Sequence, residues 1–242
     1  MKFPVMIGLC AMLAVLCCGS ATAENKSYYG EGLCGYEGFK CIKVKPGDTW
    51  EKLFPDKRER DIVKRFNRSN MAVSYRSWIV VPTNLKDIDI MALSPFPDYI
   101  TPPGTKLIIV NLALQAFGAY DQNGYLTLWG PVSGGKSWCG DVGSPCETMT
   151  GSYVMIRKQG PECESTVFPL NAGGGAPMPY CMHFYRGFAL HGSTLPGYPA
   201  SHGCVRMYFE DAKWLNHNFA EIGTRVIVTR DGSDVDLMTG KY

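Results

Sequence analysis

The sequence lacks an excess of charge and lacks metal-binding patterns. Its 24 lysines and arginines against 22 acidic residues leave a formal net charge of +2, so nothing favours nucleic acid or an anionic surface as a partner. Only four histidines occur, without ligand spacing, and no CxxC pair is present after residue 23. These absences argue against a zinc site, and no other pattern implies a metal or a cofactor.

Long hydrophobic runs are absent apart from one near the start. The run VMIGLCAMLAVLCC follows Lys2 and is itself followed by the small-x-small pattern Ala21-Thr22-Ala23. It is too short to span a bilayer comfortably, which disfavours a retained membrane anchor. Residues 1–23 are therefore predicted to be a secretory signal peptide. We expect a soluble mature chain from about Glu24, and the short signal with many cysteines favours the periplasm or cell envelope.

Cysteine is plentiful, and its count is informative. Seven cysteines follow the predicted signal peptide: Cys34, Cys41, Cys139, Cys146, Cys163, Cys181 and Cys204. An exported chain with an odd number must leave at least one thiol unpaired within the monomer. Cys34–Cys41 and Cys139–Cys146 are plausible local bridges, but the count alone does not say which cysteine is spare.

Two regions with different secondary-structure patterns follow a Gly- and Tyr-rich lead-in at residues 24–40. In residues 41–84 a short strand at Ile42–Val44 precedes a turn, and Asp48 or Thr49 then caps a helix that begins at Trp50. A second helical pattern ends at Asn67, and residues 78–81 read as a strand stopped by Pro82. The order is βααβ.

This βααβ unit resembles a LysM module, a repeat that binds N-acetylglucosamine-containing glycans. The resemblance rests on VKPGDTW, the asparagine of RFNRSN and the closing IVVP. Tyr75-Arg76-Ser77 stands where many LysM repeats carry a proline-glycine turn. The alternative is an unrelated small α/β cap.

Residues 85–105 carry four prolines and read as a stiff linker. Residues 106–230 then show short strands separated by Gly and Pro turns, including a hairpin at the Asn123-Gly124 turn. One late helix is expected from about Asp211 to a Gly223 stop, and residues 231–242 form a tail. The predicted fold is mainly β, a sandwich or partly closed barrel with one late helix, preceded by the small βααβ domain.

The segment HGSTLPGYPASHGCVRM at residues 191–207 contains a candidate cysteine nucleophile. His191 ends an apolar strand, and Cys204 follows after a Gly/Pro-rich loop that folds back on itself. Gly203 permits close backbone approach, so the Gly203 and Cys204 amides are candidate oxyanion donors. His202 is a second candidate base, and spacing does not decide between the two histidines. Arg206 suits a substrate carboxylate or a brace for the loop.

These residues resemble the L,D-transpeptidase catalytic (YkuD) domain. The family pattern is a histidine, a loop and then [ST]HGC, and the likeness extends over about residues 106–230 through the VS-G and TMTGSYVMI stretches. It implies an L,D-transpeptidase sandwich or barrel fold, with Cys204 as the acylated nucleophile and His191 as its base. In that reading the backbone at Gly192 orients the imidazole, Ser201 supports the motif, and the amides at His202 to Cys204 contribute to the oxyanion hole.

The same likeness implies that His202 supports rather than catalyses. Tyr180 and Phe184 are candidates for a substrate-facing wall, with ordinary strand packing as the alternative. The loop before Ser201 is shorter than in many members, and Arg206 stands where some carry asparagine.

The expected function is transfer of a peptidoglycan stem tetrapeptide through a Cys204 thioester to an amine. The acceptor is another stem, giving a 3→3 cross-link, or a lysine of a wall protein. Carbapenem-type inhibitors are expected to acylate the same thiol. The alternatives are an L,D-carboxypeptidase, a non-catalytic peptidoglycan-binding protein and a papain-like protease, which the absence of a QGxCW-type helix start disfavours.

Overall fold

The structure, a computed structural model, describes residues 28–231. The predicted signal peptide lies outside the described residues. The strands, in chain order, are β1 Phe39–Lys43, β2 Trp78–Pro82, β3 Leu107–Asn111, β4 Ala116–Tyr120, β5 Leu126–Ser133, β6 Gly151–Val154, β7 Arg157–Lys158, β8 Met182–Tyr185, β9 Phe188–Gly192, β10 Val205–Met207 and β11 Arg225–Thr229. The helices are α1 Trp50–Leu53, α2 Lys57–Phe66 and α3 Phe209–Trp214, which continues as a π-helical turn over Leu215–Phe219. Within residues 28–231 no helix has the length and apolarity to cross a membrane.

The N-terminal unit, residues 28–84, has the predicted βααβ order. Strands β1 and β2 pair antiparallel, and the Thr49 side chain caps α1 by accepting from the Lys52 amide at 3.2 Å. Strand β1 begins earlier than expected because Phe39 pairs opposite Pro82 and stacks on Phe66 with ring centroids 5.3 Å apart. The two helices and both strands enclose one small apolar core.

The remaining strands form one curled nine-stranded sheet in the order β6-β11-β3-β4-β5-β10-β9-β8-β7. Most neighbours are antiparallel, but β11 runs parallel to β3 and β10 runs parallel to β9. The larger core cluster includes residues of α3 and the π-helical turn, and of strands from both halves of the strand order, such as β11 and β3 in one half and β8 and β9 in the other. This mainly β fold with one late helix confirms the predicted class.

Residues 85–105 pack against the sheet. Phe96 and Ile100 are buried with Trp129 in a second core cluster, and the Trp129 indole donates to the Ile90 carbonyl at 2.8 Å. The segment therefore contributes to the core of the nine-stranded sheet and connects it to the N-terminal unit.

An ion pair joins the N-terminal unit to the late helix. Arg65 donates to both carboxylate oxygens of Asp211, at 2.7 and 2.9 Å, and also to the Trp129 carbonyl at 2.8 Å. Gly130 leaves room for the pair, since a Cβ there would lie 2.4 Å from Asp211 Oδ2. Helix α3 starts before the predicted Asp211, at Phe209, so Asp211 lies in its first turn, facing Arg65.

We predict that Asp211→Ala will destabilise the protein by about 3–5 kcal/mol, because it leaves the Arg65 guanidinium desolvated and unpaired. Denaturant unfolding of the variant measures this loss. Glu210→Ala is the matched control, because Glu210 is the exposed neighbour on the same helix. A loss no larger than that of the control would contradict the importance of this pair.

Candidate active site

The parallel pairing of β9 with β10 brings the predicted site residues together. His191 lies directly opposite Arg206 in the register, so both side chains point to the same face of the sheet. Cys204 comes two residues before Arg206 and continues the same alternation. His191, Cys204 and Arg206 accordingly line one cavity.

His191 is arranged to act as a neutral base. Its Nδ1 lies 3.0 Å from the Gly192 carbonyl oxygen; since a carbonyl only accepts, Nδ1 carries the proton and the Nε2 lone pair is left for a substrate or thiol. Burial, and then the nearby Arg206 and His183, lower the pKa of His191 to about 4, although the Gly192 hydrogen bond opposes this. The imidazole is therefore neutral at physiological pH.

Cys204 is the one unpaired cysteine among residues 28–231. The other six form the bridges Cys34–Cys41, Cys139–Cys146 and Cys163–Cys181. The Cys204 thiol lies 3.6 Å from the Gly187 carbonyl oxygen. Burial raises its pKa, against a backbone hydrogen bond from Ala189 and the charge of Arg206. Thiol and imidazole are thus both neutral at rest, which suits proton transfer during attack rather than a preformed ion pair.

The turn before Cys204 is held by side-chain hydroxyls. Ser201 Oγ donates to the Cys204 carbonyl and accepts from the Gly203 amide at 3.0 Å. Thr148 Oγ1 donates to the Gly203 carbonyl at 2.8 Å. Gly203 has φ +120°, and a Cβ there would lie 2.7 Å from the Phe188 ring, so glycine is required. The Gly203 amide, a predicted oxyanion donor, is bonded to Ser201 in this state.

The contacts of His202 are those of a supporting residue rather than of a base. Its Nε2 lies 2.8 Å from a carboxylate oxygen of Asp141, and its ring stacks on Phe168 at 4.4 Å between centroids. Cys139 lies close enough to Asp141 and His202 to suggest a metal cluster. However, Cys139 is bridged to Cys146 and offers no thiolate, so two ligands remain where zinc takes at least three from the protein.

The cavity has a volume of about 320 Å³. Its lining is rich in cationic and imidazole groups, with Arg157 donating to His183 Nε2 at 3.0 Å beside Arg206 and His191. Glu164 is the one acidic residue among the described lining residues. The sequence did not predict Arg157, His183 and Phe168 as cavity residues, because they lie on separate segments. For His183 alone, the alternation of side chains along β8 could have indicated its position.

Tyr180 and Phe184, predicted to face substrate, require a correction. Both are buried in the larger core cluster and neither lines the cavity. The alternation of β8 turns Phe184 inward and His183 toward the cavity. Tyr180 contacts Phe209 and His217 by ring edges at 5.2 Å between centroids. Ordinary packing accounts for both residues.

Comparison with known proteins gives one family. The L,D-transpeptidase catalytic domain (YkuD) profile matches residues 105–228. An L,D-transpeptidase from Xylanimonas cellulosilytica is 26% identical with a TM-score of 0.50, covering 62% of this chain and 71% of that one. A comparison with curated proteins found no match.

Two further solved structures are more distant. An L,D-transpeptidase from Stackebrandtia nassauensis is 22% identical (TM-score 0.44; 58% of this chain, 64% of that one). L,D-transpeptidase 3 from Mycobacterium tuberculosis, solved with a faropenem-derived adduct, is 20% identical (TM-score 0.43; 52% and 60%). The chain thus spans less than two thirds of these two.

We predict that the rate of acylation of Cys204 will fall as the pH is lowered, with a midpoint near pH 4. The reason is that His191 can accept the thiol proton only when it is neutral, and its pKa is about 4. Above that pH the base is present, and below it the imidazole is protonated. The pH dependence of the second-order acylation rate measures the midpoint. A fall in rate centred at the ordinary histidine pKa of about 6.5 would contradict the assignment of the buried His191 as the base.

Proposed function

We propose that this chain, which belongs to the L,D-transpeptidase catalytic domain (YkuD) family, acts on peptidoglycan through a thioester on Cys204. One observation carries the proposal. The unpaired Cys204 shares a cavity with His191, whose Nδ1–H is held by the Gly192 carbonyl. A thiol, an imidazole and a carbonyl that orients the imidazole are the groups that a cysteine acyltransferase needs, and their presence in one cavity supports the proposal.

The first half of the reaction forms the thioester. Nε2 of His191 takes the Cys204 thiol proton while sulfur attacks the carbonyl carbon of the third stem residue of a tetrapeptide donor, in the amide that joins this residue to the terminal D-alanine. Backbone amides of the Ser201–Cys204 turn stabilise the oxyanion. The carbon–nitrogen bond then breaks, and the imidazolium returns the proton to the departing D-alanine amine.

The second half transfers the acyl group. An acceptor amine attacks the thioester carbonyl, His191 takes the proton from that amine, and the restored thiolate recovers a proton from the imidazolium. A second stem peptide as acceptor gives a 3→3 cross-link, and a lysine of a wall protein gives an anchored protein. The cationic cavity wall, with Arg157 and Arg206, suits donors and acceptors that carry carboxylates.

The proposal includes a location of the protein in the cell envelope. A signal peptide at residues 1–23 delivers the chain to the periplasm, where disulfides form. A LysM-like N-terminal unit holds the enzyme on glycan and raises the local concentration of stem peptides. Three bridges in the described chain support an oxidising compartment.

We predict that the purified protein will release D-alanine from disaccharide-tetrapeptides and will join two of these substrates into cross-linked dimers. Cys204→Ala should abolish both reactions. His191→Ala should lower the rate by about 10²–10⁴-fold, since general-base assistance is worth that much. Chromatography with mass detection of the products measures both changes. D-alanine release without dimers would identify an L,D-carboxypeptidase, and no release by the wild type would identify a non-catalytic binding protein.

A further inference from the structure

We infer that the N-terminal unit is part of the active site's supporting structure, and that Asn70 positions the loop joining His191 to Cys204. This connecting loop comprises residues 193–200. The inference rests on the proposed function, because it assigns a role in the thioester chemistry. It differs from glycan tethering, because it predicts an effect on reactions that involve no glycan.

The N-terminal unit docks in one defined orientation. Beyond the Arg65–Asp211 pair, Arg68 is buried and donates to the Leu114 carbonyl at 3.1 Å. Its guanidinium also lies over the rings of Tyr29 and Trp129, at 4.3 and 5.1 Å from their centroids. Two buried guanidinium groups with directional partners on the sheet side fix the position of the N-terminal unit against the sheet.

The turn that follows α2 contacts the connecting loop directly. The Asn70 amide group donates to the Ser193 carbonyl at 3.1 Å, and its carbonyl oxygen accepts from the Leu195 amide at 2.7 Å. The Asn70 backbone amide donates to the Leu195 carbonyl at 3.2 Å, and Ser69 forms a bridge with Pro196. One residue therefore bonds three backbone groups of the loop.

The connecting loop depends on these partners. The Gly197 carbonyl accepts from the Tyr29 amide at 2.8 Å, which adds another bond from the N-terminal unit. The sheet side bonds the ends of the loop, through the Ser193 amide to the Met207 carbonyl at 2.9 Å and the Tyr198 carbonyl to Ser133 Oγ at 2.7 Å. The middle of the loop is thus held from the N-terminal unit.

The contact reaches the base through one peptide group. Gly192 supplies the carbonyl that orients His191 Nδ1, and the amide of that same peptide belongs to Ser193. Asn70 fixes the next carbonyl, that of Ser193. Removing the Asn70 side chain takes away the bonds to the Ser193 carbonyl and the Leu195 amide. The Gly192–Ser193 peptide is then held by the Ser193 amide bond to Met207 without support from the following residue, and small misplacements of a base are costly in rate.

The test compares Asn70→Ala with wild type in two reactions of Cys204. A carbapenem, which carries no glycan, reports base-assisted acylation near neutral pH. Iodoacetamide at alkaline pH reports the thiolate without needing an oriented base. Intact-mass kinetics follow both. Exposed Asn84 of the same unit provides the control Asn84→Ala, and thermal melting with a disulfide count reports folding.

We expect Asn70→Ala to slow acylation about ten- to hundredfold, while the alkylation rate stays at the wild-type value and the protein stays folded at the assay temperature with its disulfides intact. Asn70→Asp, which keeps the acceptor for Leu195 but sets a carboxylate oxygen against the Ser193 carbonyl in place of the donor, should also slow acylation. Unchanged acylation, or equal changes in both reactions, would overturn the positioning role. A wild-type protein that is alkylated but never acylated would instead overturn the proposed function.

Discussion

The parallel register of β9 with β10 is the constraint from which the chemistry follows. It sets His191 opposite Arg206 and brings Cys204 to the start of the neighbouring strand. Parallel neighbours cannot be joined by a tight hairpin and need a connection of about a dozen residues or more. The loop between His191 and Cys204 is that connection, so its length and its hydrogen bonds help to set the geometry of the candidate site.

Burial gives the two reacting groups their resting state. It holds the pKa of His191 low and that of Cys204 high, so neither carries charge before substrate arrives. A neutral thiol also reacts slowly with disulfides, because the thiolate is the attacking species. Pairing the other six cysteines leaves Cys204 without a partner in the described chain.

Local patterns carried much of the prediction. Capping chemistry predicted a cap at Asp48 or Thr49, and the structure uses Thr49. The odd count predicted one spare cysteine, which is Cys204 among the described residues. Features that depend on distant neighbours did not follow. The burial of Phe184 is decided by which elements cover β8, and the contact of Asn70 with the connecting loop joins residues more than 120 apart in sequence. The alternation of β8 puts His183 and Phe184 on opposite faces but does not say which face is covered, and no local pattern encodes the contact of Asn70.

The most direct test of the central claim is peptide mapping of the carbapenem-treated protein under non-reducing conditions. The account predicts one adduct, on the peptide containing Cys204, with Cys34–Cys41, Cys139–Cys146 and Cys163–Cys181 intact. An adduct on a different residue, or Cys204 found in a disulfide in active protein, would contradict it.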